Sequence, residues 1–189
     1  MMFNNFYKKN NNNDFFLIKP KTIYTFLANP FEQLSLISRL NGQLGYFPHL
    51  LAEDTTFIDY LSIRENMLVI LSLAPNQTKR KLNLVVSEVL EELKIPDYLA
   101  NQPFSALPVT LSIQLQLKLT VLCNRKVILV DHWLSHESAS NKQDWLFLFR
   151  EFARTTSCSF IILTSDVRLL PIENLLRMDS VAYSTKKIS

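Results

Sequence analysis

Asp131, His132 and His136 lie close together in the chain, and His49 is the only other histidine. Imidazoles and a carboxylate bind zinc when a rigid element holds them at fixed spacing. Here the four-residue step from His132 to His136 follows an apolar run that reads as a strand, so no helix face secures the pair. Beyond Glu137, no carboxylate stands nearby to orient the rings. These residues read as solvated loop rather than as a metal centre. Serine, histidine and aspartate are all present, but no G-x-S-x-G elbow presents a serine nucleophile, which argues against a hydrolase. Cys123 and Cys158 sit in apolar surroundings without metal spacing and read as reduced thiols of a cytosolic protein.

Phosphate chemistry meets a different obstacle. Loops that cradle phosphates need glycine, because the backbone must approach the anion closely and adopt positive φ. The 189 residues include only two glycines, Gly42 and Gly45. A net charge of +3 is too small to argue for nucleic acid. Hydrophobic residues reach 48%, slightly rich for a globular chain, which suggests that a partner covers some apolar surface. No apolar run approaches the length of a membrane span, and residues 1–14 have no signal-peptide core. That Asn-rich start reads as a flexible segment before a single domain over 15–189.

The elements that would position any site alternate between strand and helix. Phe15 to Ile18 and Thr22 to Leu27 read as strands around a Lys19-Pro20-Lys21 turn, the second ended by Asn29-Pro30. Phe31 to Leu40 has helical spacing, and Gly42 is its expected C-cap. Leu44 to Phe47 reads as a short strand ended by Pro48. Asp59 to Leu73 and Thr78 to Leu93 are helical, the latter through a stripe at Leu82, Val86, Val89 and Leu93. Leu111 to Leu122 and Lys142 to Arg154 read as further helices. Val127 to Val130 and Ser159 to Leu163 are continuous apolar runs, the pattern of buried parallel strands. The class is therefore α/β with a mainly parallel sheet.

The order of these pieces resembles the ATPase domain of ABC transporters. Leu44-Gly45-Tyr46-Phe47-Pro48-His49, followed by Leu61-Ser62-Ile63-Arg64-Glu65-Asn66, is similar to the family's Q-loop and to the segment that opens its helical subdomain. Ser62 and Glu65 also make a local capping box, S-x-x-E, which is common by itself. Val127 to Asp131 resembles Walker B, where a buried strand delivers an aspartate to Mg²⁺. Phe160 to Asp166 resembles the switch strand. The resemblance implies a P-loop-NTPase-like fold with flanking helices, a helical subdomain over 58–122, and a shortened N-terminal β region, the chain passing from Gly42 to Gly45 without the usual hairpin.

Set against that family, the nucleotide motifs are altered. A P-loop requires G-x-x-x-x-G-K followed by Ser or Thr. The corresponding stretch, Ala28 to Ser35, has no glycine and carries Leu34 in place of lysine. Only Ser35 and the Walker-B-like Asp131 remain as vestigial nucleotide and Mg²⁺ positions. His132 replaces the catalytic glutamate, Ser165 the switch histidine, and His49 the Q-loop glutamine. The D-loop region, Leu134 to Glu137, lacks its aspartate. The signature loop falls on either Leu107 to Leu111 or Leu111 to Leu115, and neither has glycine. An adenine-stacking ring would have to come from Phe6 or Tyr7.

The resemblance thus implies a pseudo-ATPase with no cofactor, or at most weak Mg-ATP. Its partners would be an integral-membrane permease subunit and a second ABC ATPase subunit, as a homodimer or heterodimer, at the inner face of the membrane. Residual nucleotide binding and a free-standing regulatory role are the alternatives. The docking surface expected from the family is the groove beside the Q-loop, with Phe47, His49, Leu50, Leu51, Phe57 and Tyr60 as receptors for an amphipathic helix. Phe47 to Phe57 reads equally as core. Trp133, Trp145, Phe147, Phe149 and Phe152 read as packing under a helix, with a docking surface as the other reading.

Overall fold

The structure, a computed structural model, describes residues 18–27, 29–52, 57–74, 79–165 and 175–176. The expectations placed on residues 1–14, on Phe15 to Leu17 and on Asp166 lie outside these. Five parallel strands, β1 (Ile23–Leu27), β2 (His49–Leu51), β3 (Val127–Val130), β4 (Ser159–Thr164) and β5 (Leu175–Leu176), form one sheet in the order β2-β3-β4-β1-β5. Strands β3 and β4 are buried at every position, as their unbroken apolar runs predict for a sheet covered on both faces.

Side chains alternate between those faces. Tyr24, Phe26, Leu129 and Ile161 meet Leu36 and Leu40 of helix α1 (Pro30–Leu44). Ile128, Val130, Phe160 and Ile162 face the other way, toward Ile113 and Leu117 of α5 (Val109–Leu122) and Phe149 and Ala153 of α7 (Ala139–Thr156). A separate apolar cluster joins α5 to α2 (Ile63–Ser72) and α3 (Lys79–Glu92), with the short α4 (Asp97–Ala100) at its margin. One four-residue helix, α6 (Trp133–His136), connects β3 to α7.

Helix α1 differs from its expected span at both ends. It runs to Leu44, and the C-cap is Gly45, at φ 70 in the left-handed region that glycine adopts without strain. Gly42 lies inside the helix. Consequently Leu44 to Phe47 is not a strand. Its first residue ends the helix, and the strand begins beyond Pro48, at His49. Tyr46 instead braces the start of β3. Its hydroxyl accepts from the Lys126 amide at 3.3 Å, and the Arg125 guanidinium stacks 4.9 Å from its ring centroid.

Candidate functional site

In an open α/β sheet, ligands bind beyond the carboxyl ends of the strands. Two elements converge there. Asn29, after β1, caps α1: its side-chain oxygen accepts from the Glu32 amide at 3.0 Å, and the Glu32 carboxylate accepts from the Asn29 amide at 2.9 Å. Pro30 supplies no N–H, and its fixed φ suits the first helical position. The first turn therefore engages the Glu32 amide internally and holds its own carboxylate at the positive end of the helix dipole. Phe31 is 81% exposed and Leu34 66% exposed, an apolar pair on the outside of the same turns.

Beyond β3, the Asp131 amide donates to the Leu51 carbonyl at 3.2 Å, and Asp131 Oδ1 accepts from the His132 amide at 2.7 Å. His132 Nε2 is 2.7 Å from Oε1 of Gln33, a buried residue in the first turns of α1. This contact joins the strand exit to the helix start. Ser35, two residues further along α1, is half-buried. Gln116 of α5 holds the exit of β2: its Nε2 donates to the Ala52 carbonyl at 3.0 Å, and its Oε1 accepts from the Ala52 amide at 3.4 Å. Trp133 Nε1 adds a bond to the Leu51 carbonyl at 3.1 Å.

His49 does not belong to this end. It pairs in register with Ile128, three residues before Asp131 and so about 10 Å back along the strand. With Phe47 and Leu50 it lines a cavity of about 220 Å³ bordered by Ile70 of α2, Leu73 just after it, and Cys123 and Arg125 after α5. The placement of His49 at a Q-loop glutamine position is therefore corrected by the strand register, because Leu51 and Ala52, not His49, stand at the exit of β2.

The rest of the expected docking set is also dispersed. Leu51 is fully buried, and Phe57 is core, stacked on Phe104 with ring centroids 3.5 Å apart. Phe47 and Tyr60 are exposed. No single groove holds all six. Among the described residues no cluster of three or more His, Cys, Asp or Glu could hold a metal ion, and His49 is remote from Asp131.

No family model matches the sequence, and no curated protein matches it. Solved structures do. CbiO1 of Clostridium perfringens, part of the CbiONQ ABC transporter complex, aligns with a TM-score of 0.59 and 14% identity over 82% of this chain and 71% of that one. A metal-chelate-type ABC transporter in an inward-facing conformation aligns with a TM-score of 0.58 and 18% identity, over 85% and 70%. The ATP-binding cassette MJ0796, a dimer bound to ADP and phosphate, aligns at 0.54 and 12%, over 80% and 78%. The chain has the fold of ABC transporter ATP-binding domains. Helix α1 follows β1, and Asp131 follows β3, which is separated from β1 by β4. No helix among the described residues is long and apolar enough to cross a membrane.

Burial also changes His49. Its Nε2 has no partner and no access to solvent, although the residue as a whole is only partly covered. Desolvation, helped by the positive charge of Arg125, lowers its pKa from the usual 6.5 to about 4. The unfolded chain protonates this ring near 6.5 and the folded chain only near 4, so stability falls as pH drops through that window. The expected loss is about 2 kcal/mol between pH 7 and pH 5. Urea midpoints at the two pH values should show it, and His49→Leu should lack that part of the decline. An equal decline in both proteins would assign the acid sensitivity elsewhere.

Three polar residues of structural weight, Gln33, Gln116 and Asn66, carry no chemical signal in the sequence. Asn66 was legible only as the last letter of an ABC-like motif. Its amide nitrogen donates to the carbonyls of Ile58, Leu61 and Ser62, and its oxygen accepts from the Ile58 amide at 2.7 Å.

Proposed function

We propose that this chain is a non-hydrolysing ABC-type subunit that docks on a membrane permease and pairs with an ATPase subunit. The observation that carries the reading is the self-capped start of α1. A polyphosphate at this helix end would need free amides and a cationic side chain. Here Pro30 has no N–H, the Glu32 amide is engaged by Asn29, and the Glu32 carboxylate repels an anion. His132, where the family carries its catalytic glutamate, is engaged with Gln33. These residues do not fit Mg-ATP, and no step of phosphoryl transfer is assigned to them. Phe31 and Leu34 make the same edge apolar, which favours contact with another protein surface over contact with phosphate. The permease as partner, and a position peripheral to the membrane, rest on the ABC-type fold and on the transporter assemblies in which CbiO1 and the metal-chelate transporter occur.

Nucleotide binding tests the proposal. With Kd above about 1 mM, 2 mM Mg-ATP stabilises the folded state by no more than about 0.7 kcal/mol, a shift of roughly 1–3 °C in Tm. A site with Kd near 1 μM would give about 4.5 kcal/mol and a shift of roughly 10 °C or more. No phosphate release is expected from the purified chain. A large Mg-ATP shift, or phosphate release abolished by Asp131→Asn, overturns the proposal in favour of a residual nucleotide-binding subunit.

A further inference from the structure

Two shallow depressions between α5 and α7, the first largely apolar and the second mixed, share Asp144 and Leu148 and form one trough. The first, of about 510 Å³, lies between Leu117 of α5, Leu93 at the end of α3, and Phe147 and Phe152 of α7. The second, of about 330 Å³, continues past Trp145 toward Val109 and Glu137. Along α7 the lining residues recur at three- and four-residue steps from Asn141 to Thr155, so the trough follows the helix axis for roughly 20 Å.

Asp144 and Glu151 are seven residues apart on α7 and so stand about 10 Å apart along this trough, while Glu137 precedes the helix and lies at the Val109 end, its carboxylate accepting from the Asn141 side-chain amide. With Glu92 they place four carboxylates against a single lysine, Lys118, in the lining of a chain whose net charge is +3. Lys118 is held by Glu92, and Glu151 by Arg154 at 2.7 Å. Asp144 has no ion pair among the described residues, and Phe147 beside it is 65% exposed.

We infer that this trough docks an amphipathic helix of a partner protein that carries Lys or Arg at seven-residue spacing beside an apolar stripe. A helix laid along α7 matches both the length of the trough and the repeat of its carboxylates. A second copy of this chain would bring the same acidic line against itself across a two-fold axis, which is repulsive. An anionic membrane surface meets the same objection. The surface is separate from the α1 cap on which the proposed function rests, so the Mg-ATP result leaves it standing or falling on its own evidence.

The probe is a fluorescein-labelled synthetic peptide of about 18 residues, built of leucine and alanine with lysine at every seventh position, compared with the same peptide carrying glutamate instead. Fluorescence anisotropy with the full chain should give binding to the lysine peptide that is at least about tenfold tighter than to the glutamate peptide and weaker in added salt. Asp144→Lys should weaken binding about tenfold, and Phe147→Ser about fivefold. Both residues are exposed, so both variants should fold. Glu88→Lys, on α3 outside the trough, should leave binding unchanged. Equal binding of the two peptides, no binding of either, or indifference to Asp144→Lys overturns the inference. Self-association of the chain that Phe147→Ser abolishes would assign the trough to a second copy and overturn it too.

Discussion

Phe149→Ala is expected to lower stability by about 4 kcal/mol and Tm by roughly 10 °C. The ring is fully buried and stacks on Phe160 of β4 with centroids 4.8 Å apart and on Trp145 at 6.2 Å. Trp145 in turn meets Trp133 edge to face at 5.4 Å, and Phe152 closes on Phe160 at 5.9 Å. Truncation removes the transfer energy of a phenyl group, opens a cavity in a rigid corner of the sheet, and loses both ring contacts. Relaxation of α7 into the gap is opposed by β4, which is buried along its whole length. Chemical denaturation should show a lower midpoint with an unchanged slope. Phe147→Ala, two residues earlier on the exposed side of α7, is expected to change the midpoint by less than about 0.5 kcal/mol. A loss below about 1 kcal/mol at Phe149 would mean that α7 is not anchored to the sheet through this ring.

That pair shows where the sequence was readable. The aromatic run from Trp133 to Phe152 admitted two readings, core or surface, because aromatic composition does not identify a face. Both occur on α7 alone: Phe149 is core, like Trp133 on α6, whereas Phe147 is exposed. The strands Val127–Val130 and Ser159–Thr164 were legible because burial on both faces leaves an uninterrupted apolar run. The three residues His49–Leu51 were not, because so short a strand has no alternation to read, and Leu44 to Phe47 offered a stronger apolar run nearby. Gly45 decides between them, since its positive φ ends α1 and delays the strand until after Pro48. Asn29 and Glu32 form a capping box that can be read directly from N-x-x-E, yet Asn29-Pro30 also suits the end of a strand. The polar contacts of the site are of another kind. Gln33 meets His132 across 99 residues, and Gln116 meets Ala52 across 64. Such pairs are created by the folded topology and leave no local spacing to detect.

Asn66→Ala is expected to cost about 3 kcal/mol, and the reason explains why this residue follows the capping box of α2. Asn66 is 1% exposed. Its side chain is saturated by backbone groups of the preceding turn: one bond is accepted from the Ile58 amide, and its two N–H groups are shared among the carbonyls of Ile58, Leu61 and Ser62, at 2.7 to 3.1 Å. Ser62 itself caps α2, accepting from the Glu65 amide at 3.2 Å while the Glu65 carboxylate accepts from the Ser62 amide at 2.8 Å. The Ser62 hydroxyl also donates to that carboxylate and helps hold its pKa below the usual value. Alanine at 66 would leave the Ile58 amide without its partner in a covered turn, which costs more than the net worth of an ordinary hydrogen bond. Asn66→Asp tests the chemistry more sharply. It keeps an acceptor for the Ile58 amide but turns a carboxylate toward three carbonyl oxygens, so it should be at least as destabilising as alanine at pH 7 and should recover partly as acid protonates it. Urea midpoints for both variants at pH 7 and pH 5 separate these effects from the His49 contribution when read against the wild type at each pH. If Asn66→Asp is tolerated at pH 7, the turn from Ile58 to Ser62 is not held by the amide. In that case the likeness of this motif to the ABC segment would need another cause.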